Sequence, residues 1–224
     1  MASAVLQSIE LETGPKPDAA VIVLHGLGAD GNDFVPIVEE LKLPAGLSVR
    51  FVFPHAPVRR VTINGGYPMR AWYDIVEADL SNRADIAGVR ESRGAVEQLV
   101  QREESRGIDA SRIVLSGFSQ GGAIALYTAL RYEARLAGVL ALSTYLIDGA
   151  ALAKEASAAN KDVPIFMAHG TQDPVVRLEW ADRSRALLQE LGYNVEWHTY
   201  PMPHSVVWEE IEAIGKFLTR VWGA

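Results

Sequence analysis

A serine, an aspartate and a histidine occur in this chain in settings where each residue type could serve nucleophilic catalysis. Ser119 is the middle residue of Gly117-Phe118-Ser119-Gln120-Gly121, a G-x-S-x-G pentapeptide. The apolar run Arg112-Ile113-Val114-Leu115-Ser116 precedes it, and a helix-like stretch from Ala123 to Tyr132 follows. That context is a nucleophile elbow, a tight strand-to-helix turn that lifts a serine out of a sheet. The serine must then take a strained backbone conformation. Side chains two positions to either side would collide with neighbouring backbone, which gives Gly117 and Gly121 a steric role. The helix that follows would aim its first N–H groups and positive dipole end at a developing oxyanion.

Partners follow in a chain order known for such triads: nucleophile, acid, histidine. Ile165-Phe166-Met167-Ala168 reads as a buried strand and runs into His169-Gly170-Thr171-Gln172-Asp173-Pro174. Val195-Glu196-Trp197-His198-Thr199-Tyr200 alternates like a strand and runs into Pro201-Met202-Pro203-His204-Ser205-Val206. Open α/β sheets place their sites at the carboxyl ends of the strands. Ser119, Asp173 and His204 are therefore expected to converge there from three loops. A serine hydroxyl needs a base to take its proton as it attacks. Histidine suits that task because its ordinary pKa lies near neutrality. A carboxylate fixes the imidazole tautomer and stabilises the imidazolium.

The remaining histidines are read as structural hydrogen-bonding groups. His25 ends a core strand, His55 sits in the Pro54-His55-Ala56-Pro57 turn, His169 ends a strand and His198 lies inside one. Asp148 reads as a turn or helix cap, and Asp162 precedes a strand instead of following it. The strand Ala20-Val21-Ile22-Val23-Leu24 runs into His25-Gly26-Leu27-Gly28-Ala29-Asp30-Gly31, a literal G-x-G-x-x-G. The dinucleotide fingerprint also wants a carboxylate at the end of the next strand. The run from Ser48 to Phe53 instead ends in Pro54-His55-Ala56-Pro57. An oxyanion loop explains the segment better, with the backbone N–H of Leu27 as one donor and that of Gln120 as the other.

Taken together, these stretches resemble the type II carboxylesterase and acyl-protein thioesterase family, also called the phospholipase/carboxylesterase family. The likeness covers nearly the whole chain. It includes His25-Gly26-Leu27-Gly28, Pro54-His55-Ala56-Pro57-Val58-Arg59, Ala71-Trp72-Tyr73-Asp74-Ile75, Gly117 to Gly122, Ala141-Leu142-Ser143, Gly170 to Val176 and Met202-Pro203-His204-Ser205. The resemblance implies an α/β-hydrolase fold with a minimal lid. It also implies a Ser119–Asp173–His204 triad, an oxyanion hole at Leu27 and Gln120, and metal-independent, cofactor-free hydrolysis of small esters, thioesters or lysophospholipids. Some family members remove fatty-acyl groups from protein cysteines. Tyr145 stands where the thioesterase branch often has tryptophan, a departure that weighs against long-chain thioesters.

Along the chain, strand and helix patterns alternate. The fold class expected is α/β: a mainly parallel central sheet with helices on both faces, in three α/β/α layers. A first edge strand is expected at Val5 to Glu10. Helices are expected at Asp33 to Leu41, Asp85 to Glu104, Gln120 to Tyr132, Arg177 to Leu191 and Ser205 to Val221. In the second of these, Ile86, Val89, Val96, Leu99 and Val100 share a face, while Arg90, Arg93, Glu97 and Glu104 read as a solvated surface. Val61 to Leu80 has no strong period and holds several large apolar groups. Long irregular segments in compact domains are often functional. It is expected to fold over the serine, with Trp72 and Ile75 forming one wall of an acyl pocket and Tyr145 and Val176 the other.

The 224 residues suffice for one sizeable core, so one domain over 1–224 is expected. A net charge of −7 gives no electrostatic support for binding nucleic acid or anionic membrane faces. Without cysteine there is no disulfide, thiolate metal site or cysteine nucleophile. No basic segment precedes an apolar stretch at Met1 to Ser8, and no apolar run is long enough to span a bilayer. A cytoplasmic location without integral membrane association is the expectation, and an exposed apolar patch near the pocket would support a weak homodimer. The function expected is a carboxylesterase for short to medium acyl chains, working through an acyl-enzyme. Acyl-protein thioesterase and lysophospholipase activities are the neighbouring alternatives, and a catalytically silent binding protein is the alternative of another class.

Overall fold

The computed structural model describes residues 5–77 and 85–224. Its elements run β1 (Ser8–Glu12), β2 (Ala19–Leu24), α1 (Ile37–Glu40), β3 (Val49–Pro54), β4 (Val58–Val61), β5 (Tyr67–Arg70), α2 (Ile86–Ser105) and β6 (Ile113–Phe118). They continue with α3 (Gln120–Ala129), β7 (Gly138–Leu142), α4 (Gly149–Glu155), β8 (Ile165–Gly170), α5 (Leu178–Glu190), β9 (Val195–Tyr200) and α6 (Trp208–Val221). Seven strands form one sheet in the order β1-β3-β2-β6-β7-β8-β9. Strand β1 pairs antiparallel with β3, and every other pair in the sheet is parallel.

The period-2 geometry of a strand sends alternate side chains to opposite faces. In β2, Ala20, Ile22 and Leu24 join one core, while Ala19, Val21 and Val23 join the other. In β8, Ile165 and Met167 face the first core and Phe166 and Ala168 the second. The first core is covered by α2 (Val89, Val96, Leu99), α3 (Ile124, Leu126) and α5 (Leu188). The second is covered by α1 (Val38) and α6 (Ile214, Phe217, Leu218). All ten residues of α3 are buried. A helix apolar on nearly every side must be covered on every side.

Some boundaries depart from expectation. The edge strand begins at Ser8 instead of Val5. Only Ile37–Glu40 of the expected Asp33 to Leu41 helix is α-helical. Pro36 carries no N–H, and the residues before it form single turns such as Asp33 N–H to Asp30 O. Helix α6 starts at Trp208 instead of Ser205, because Val207 is extended (φ −115°, ψ 164°). The segment from Val61 onward is not irregular throughout. Strands β4 and β5 form an antiparallel ribbon with Val61 opposite Tyr67, turned through Gly65 and Gly66. Residues 78–80 of that segment lie outside the described residues.

One charged residue of α2 leaves the solvated face. Glu103 is fully buried and accepts from Arg50 Nη1 (2.8 Å), Arg106 Nη1 (3.0 Å) and Arg102 Nε (3.1 Å). This cluster ties β3 to α2. Among the described residues no helix is long and apolar enough to cross a membrane.

Candidate active site

Chain order changes direction between β2 and β6: the chain leaves β2 for β3 on one side and later returns to β6 on the other. A crevice opens at the carboxyl ends of strands that diverge in this way. The loop after β2 carries Leu27 into that crevice, and the turn after β6 carries Ser119. A Cβ built on Gly26 would stand 3.6 Å from Ser119 Cβ, so the two loops are in contact range.

Ser119 has φ 53° and ψ −120°, a conformation that costs a non-glycine residue about 1–3 kcal/mol. The surroundings hold it there. Its N–H donates to Leu142 O (2.9 Å), and its carbonyl accepts from Ala123 N–H (3.1 Å) and Thr144 Oγ1 (2.6 Å). The two flanking glycines permit the turn. A Cβ on Gly117 would meet Gly121 backbone at 2.4 Å, and a Cβ on Gly121 would meet Leu24 O at 2.2 Å.

Asp173 lies beyond the end of β8 with its side chain fully buried. Its Oδ1 accepts from the N–H groups of Val175 (2.8 Å) and Val176 (2.9 Å). Its Oδ2 lies 2.7 Å from His204 Nδ1, a charge-assisted pair that places the proton on Nδ1 and leaves the lone pair on Nε2. The His204 ring packs against Phe118, with centroids 4.7 Å apart, which sets it beside the elbow. Ser119 Oγ makes no hydrogen bond among the described residues. Catalytic contacts of this kind often tighten only when substrate is bound.

Of the other four histidines three are engaged elsewhere, while His169 lies beside Asp173, its Nε2 3.5 Å from Oδ2. His25 Nδ1 donates to Gly26 O (2.7 Å) and its Nε2 accepts from Ala56 N–H (3.0 Å). Burial lowers its pKa and keeps it neutral. His55 Nδ1 accepts from Gly31 N–H, which gives the last glycine of the fingerprint-like loop a partner other than a nucleotide. His169 Nε2 donates to Val176 O (2.8 Å) and braces the turn that presents Asp173. Burial lowers its pKa as well. His198 Nε2 lies 2.9 Å from Glu196 Oε1.

The N–H groups of Leu27 and Gln120 donate to no acceptor among the described residues. The Gln120 side chain is buried and clamps the neighbouring segment. Its Oε1 accepts from Trp72 N–H and its Nε2 donates to Tyr73 O, both at 2.8 Å.

The expected acyl wall is placed differently. Trp72 has no exposed surface, and its indole N–H donates to His25 O (2.9 Å). It therefore lies behind the loop after β2 and is no open wall, because a buried indole N–H needs an acceptor and finds one there. Tyr145 and Val176 are 6% and 1% exposed. Tyr145 Oη sits 2.6 Å from Tyr73 Oη, and burial pushes the Tyr145 phenol up to about 12. Ile75 is half-buried. Among the described residues, large apolar side chains are exposed at Val175, 58% exposed and two residues from Asp173, and at Val58, Ile63, Tyr67 and Val76 on and around the β4–β5 ribbon. A signal for Val175 was present in the sequence, since it lies two residues from Asp173. An open cleft of about 290 Å³ adjoins Tyr145 and is lined by Leu146, Asp148, Trp180, Arg183 and Leu187. Among the described residues, no three His, Asp or Glu side chains gather as a metal site.

Known proteins resemble this chain in sequence and in fold. The sequence profile of the phospholipase/carboxylesterase family matches residues 7–222. The chain is 44% identical to acyl-protein thioesterase 1 of Neurospora crassa, covering 90% of this chain and 86% of the relative. It is 41% identical to acyl-protein thioesterase 1 of Mycosarcoma maydis, covering 95% of each. The crystal structure of Zea mays acyl-protein thioesterase 2 superposes with a TM-score of 0.83 at 31% identity, covering 96% of this chain and 98% of that one. The chain thus belongs to the phospholipase/carboxylesterase family, with an α/β-hydrolase fold, and is a hydrolytic enzyme of the acyl-protein thioesterase and carboxylesterase kind.

Proposed function

We propose that this enzyme cleaves carboxylic esters and thioesters through a Ser119 acyl-enzyme, with His204 as general base and Asp173 as its orienting carboxylate. The observation that carries the reading is the 2.7 Å Asp173–His204 pair, held beside a serine in the strained elbow conformation. His204 Nε2 takes the proton of Ser119 Oγ as the oxygen attacks the acyl carbon. The tetrahedral oxyanion is received by the N–H groups of Leu27 and Gln120, which have no competing acceptor. His204 returns the proton to the departing alcohol or thiol. Water, activated by the same imidazole, then releases the acid and frees the serine. Asp173 never needs to accept the proton, because its two oxygens already hold three N–H donors.

Two observations bear on the acyl group. Relatives at 41% and 44% identity are named acyl-protein thioesterases, which supports acylated protein cysteines among the substrates. Tyr145, tethered to Tyr73, borders the open cleft of about 290 Å³, whose modest size supports short to medium chains over long ones. The test is a fluorophosphonate adduct mapped by mass spectrometry, followed by a chain-length panel of matched esters and thioesters. The expected result is a single adduct on Ser119, abolished in His204→Ala. Labelling elsewhere, or undiminished labelling in that variant, refutes the proposal.

A further inference from the structure

An oxyanion hole made of backbone N–H groups works only if its peptide planes cannot turn. In a trans peptide the C=O and N–H point in opposite directions, so anchoring the carbonyl aims the N–H. Two consecutive carbonyls of the loop after β2 are anchored here. Gly26 O accepts from His25 Nδ1 at 2.7 Å, which fixes the plane that carries Leu27 N–H. His25 O accepts from the Trp72 indole at 2.9 Å, which fixes the plane that carries Gly26 N–H. The two side chains also brace one another, with ring centroids 5.4 Å apart.

Trp72 is itself held at each of its polar groups. Its backbone N–H donates to Gln120 Oε1, and its carbonyl accepts from Ser92 Oγ. The Gln120 carboxamide closes the circuit through Tyr73 O. One residue is thus tied to both loops that would supply oxyanion donors: to the Leu27 loop by its indole and to the Gln120 turn by its main chain. All of these groups are buried.

From this circuit we infer that Trp72 is a positioning residue for the oxyanion hole, acting through its indole N–H on the His25–Gly26–Leu27 peptides. Trp72 touches no reacting atom. Its effect is on the transition state, because only the tetrahedral oxyanion depends on donor alignment. The inference rests on the assignment of Leu27 and Gln120 in the proposed function.

The test uses two variants of the full chain: Trp72→Phe, and a chain carrying β-(3-benzothienyl)alanine at 72. The second keeps the bicyclic shape and replaces the N–H by sulfur, so it holds the packing even where phenylalanine would not. Turnover of p-nitrophenyl butyrate is counted per serine titrated with fluorophosphonate. Binding of butaneboronic acid, which forms a tetrahedral serine adduct, is compared with binding of butyrate. The expected result is a fall in kcat of about tenfold to a hundredfold, since losing a donor outright costs about 10²–10³. KM and butyrate binding should stay near wild type, and boronate affinity should fall in step with kcat. A merely structural role would lower the melting temperature or the titratable fraction without that split. A folded benzothienyl variant whose per-site kcat and boronate affinity stay within about twofold of wild type overturns the inference. If instead the wild-type adduct maps away from Ser119, it is the proposed function that falls.

Discussion

Glu210 offers a sharp test of the energetics. It sits in the first turn of α6 with no exposed surface, and among the described residues neither carboxylate oxygen has a well-formed hydrogen bond. Burial lifts its pKa from 4.5 to about 8, and the nearby Val207 amide pulls it back only in part. Tyr200 on β9 is pushed up to about 12, by burial first and then by the charges of Glu210, Glu196 and Glu209. The folded chain therefore keeps a proton that the unfolded chain has released. Below pH 4.5 both states hold it and stability is insensitive to pH. Between 4.5 and about 8, unfolding releases the proton, and stability falls by about 1.4 kcal/mol per pH unit. Above that range both states are ionised and the loss is complete, roughly 5 kcal/mol in all as an upper bound. Glu210→Gln removes this slope. Glutamine carries its own burial cost, but that cost does not vary with pH, so the readout is the slope and not the offset. From pH 5 to pH 8 the variant should gain about 4 kcal/mol relative to wild type. At about 2–4 °C per kcal/mol for a chain of this size, the gap in melting temperature should widen by roughly 8–16 °C. Calorimetric melts of both proteins at pH 5, 6, 7 and 8 measure it. A gap that stays constant across that range refutes the reasoning.

Two further perturbations probe the frame around the site. Glu103→Ala leaves three guanidinium groups facing a buried void, and should cost about 3–5 kcal/mol in urea unfolding; a loss below about 1 kcal/mol would mean that Arg50, Arg102 and Arg106 are satisfied by Glu10 and Glu12 alone. Tyr73→Phe and Tyr145→Phe each strand one buried hydroxyl and should each cost about 1–3 kcal/mol, whereas the double variant should cost less than their sum; strict additivity in the double-mutant cycle would show that the two hydroxyls do not interact.

The elbow was legible because most of its signal is local. Gly117 is required by a clash with backbone only a few residues on, although Gly121 is required by the carbonyls of Leu24 and His25, far off in the chain; the strand and helix on either side announce themselves by composition. The positions of Asp173 and His204 were legible for a similar reason, since the loop that carries each follows a recognisable strand. Strand β7 was harder: Gly138 to Leu142 is five small or aliphatic residues, a length at which an apolar run fits a helix as well as a strand. The β4–β5 ribbon was masked by Pro68, which normally speaks against a strand but is tolerated in a two-stranded ribbon. The burial of Trp72 was not legible, because a large aromatic near a site suits a pocket wall as well as a core position, and the acceptor for its indole lies far off in the sequence. Glu103 sits on a helix whose other charges read as solvated, and its burial, like that of Glu210 on α6, is set by packing that no local pattern reveals.

Strand β9 lies at the rim of the sheet with β8 as its one neighbour, and the loop that it feeds carries His204. The groups of the site thus rest on unequal foundations. Ser119 is anchored at the middle of the sheet, where strands flank it on both sides, while the imidazole hangs from the outermost ribbon. Rim strands exchange their amide hydrogens and fray before central ones do. As the protein is warmed or mildly denatured, chemistry should therefore fail ahead of shape. If His204 is the base proposed above, the hydroxyl would stay locked on its sharp bend after the group that unburdens it had drifted off, and the enzyme would switch off while its central strands were still folded.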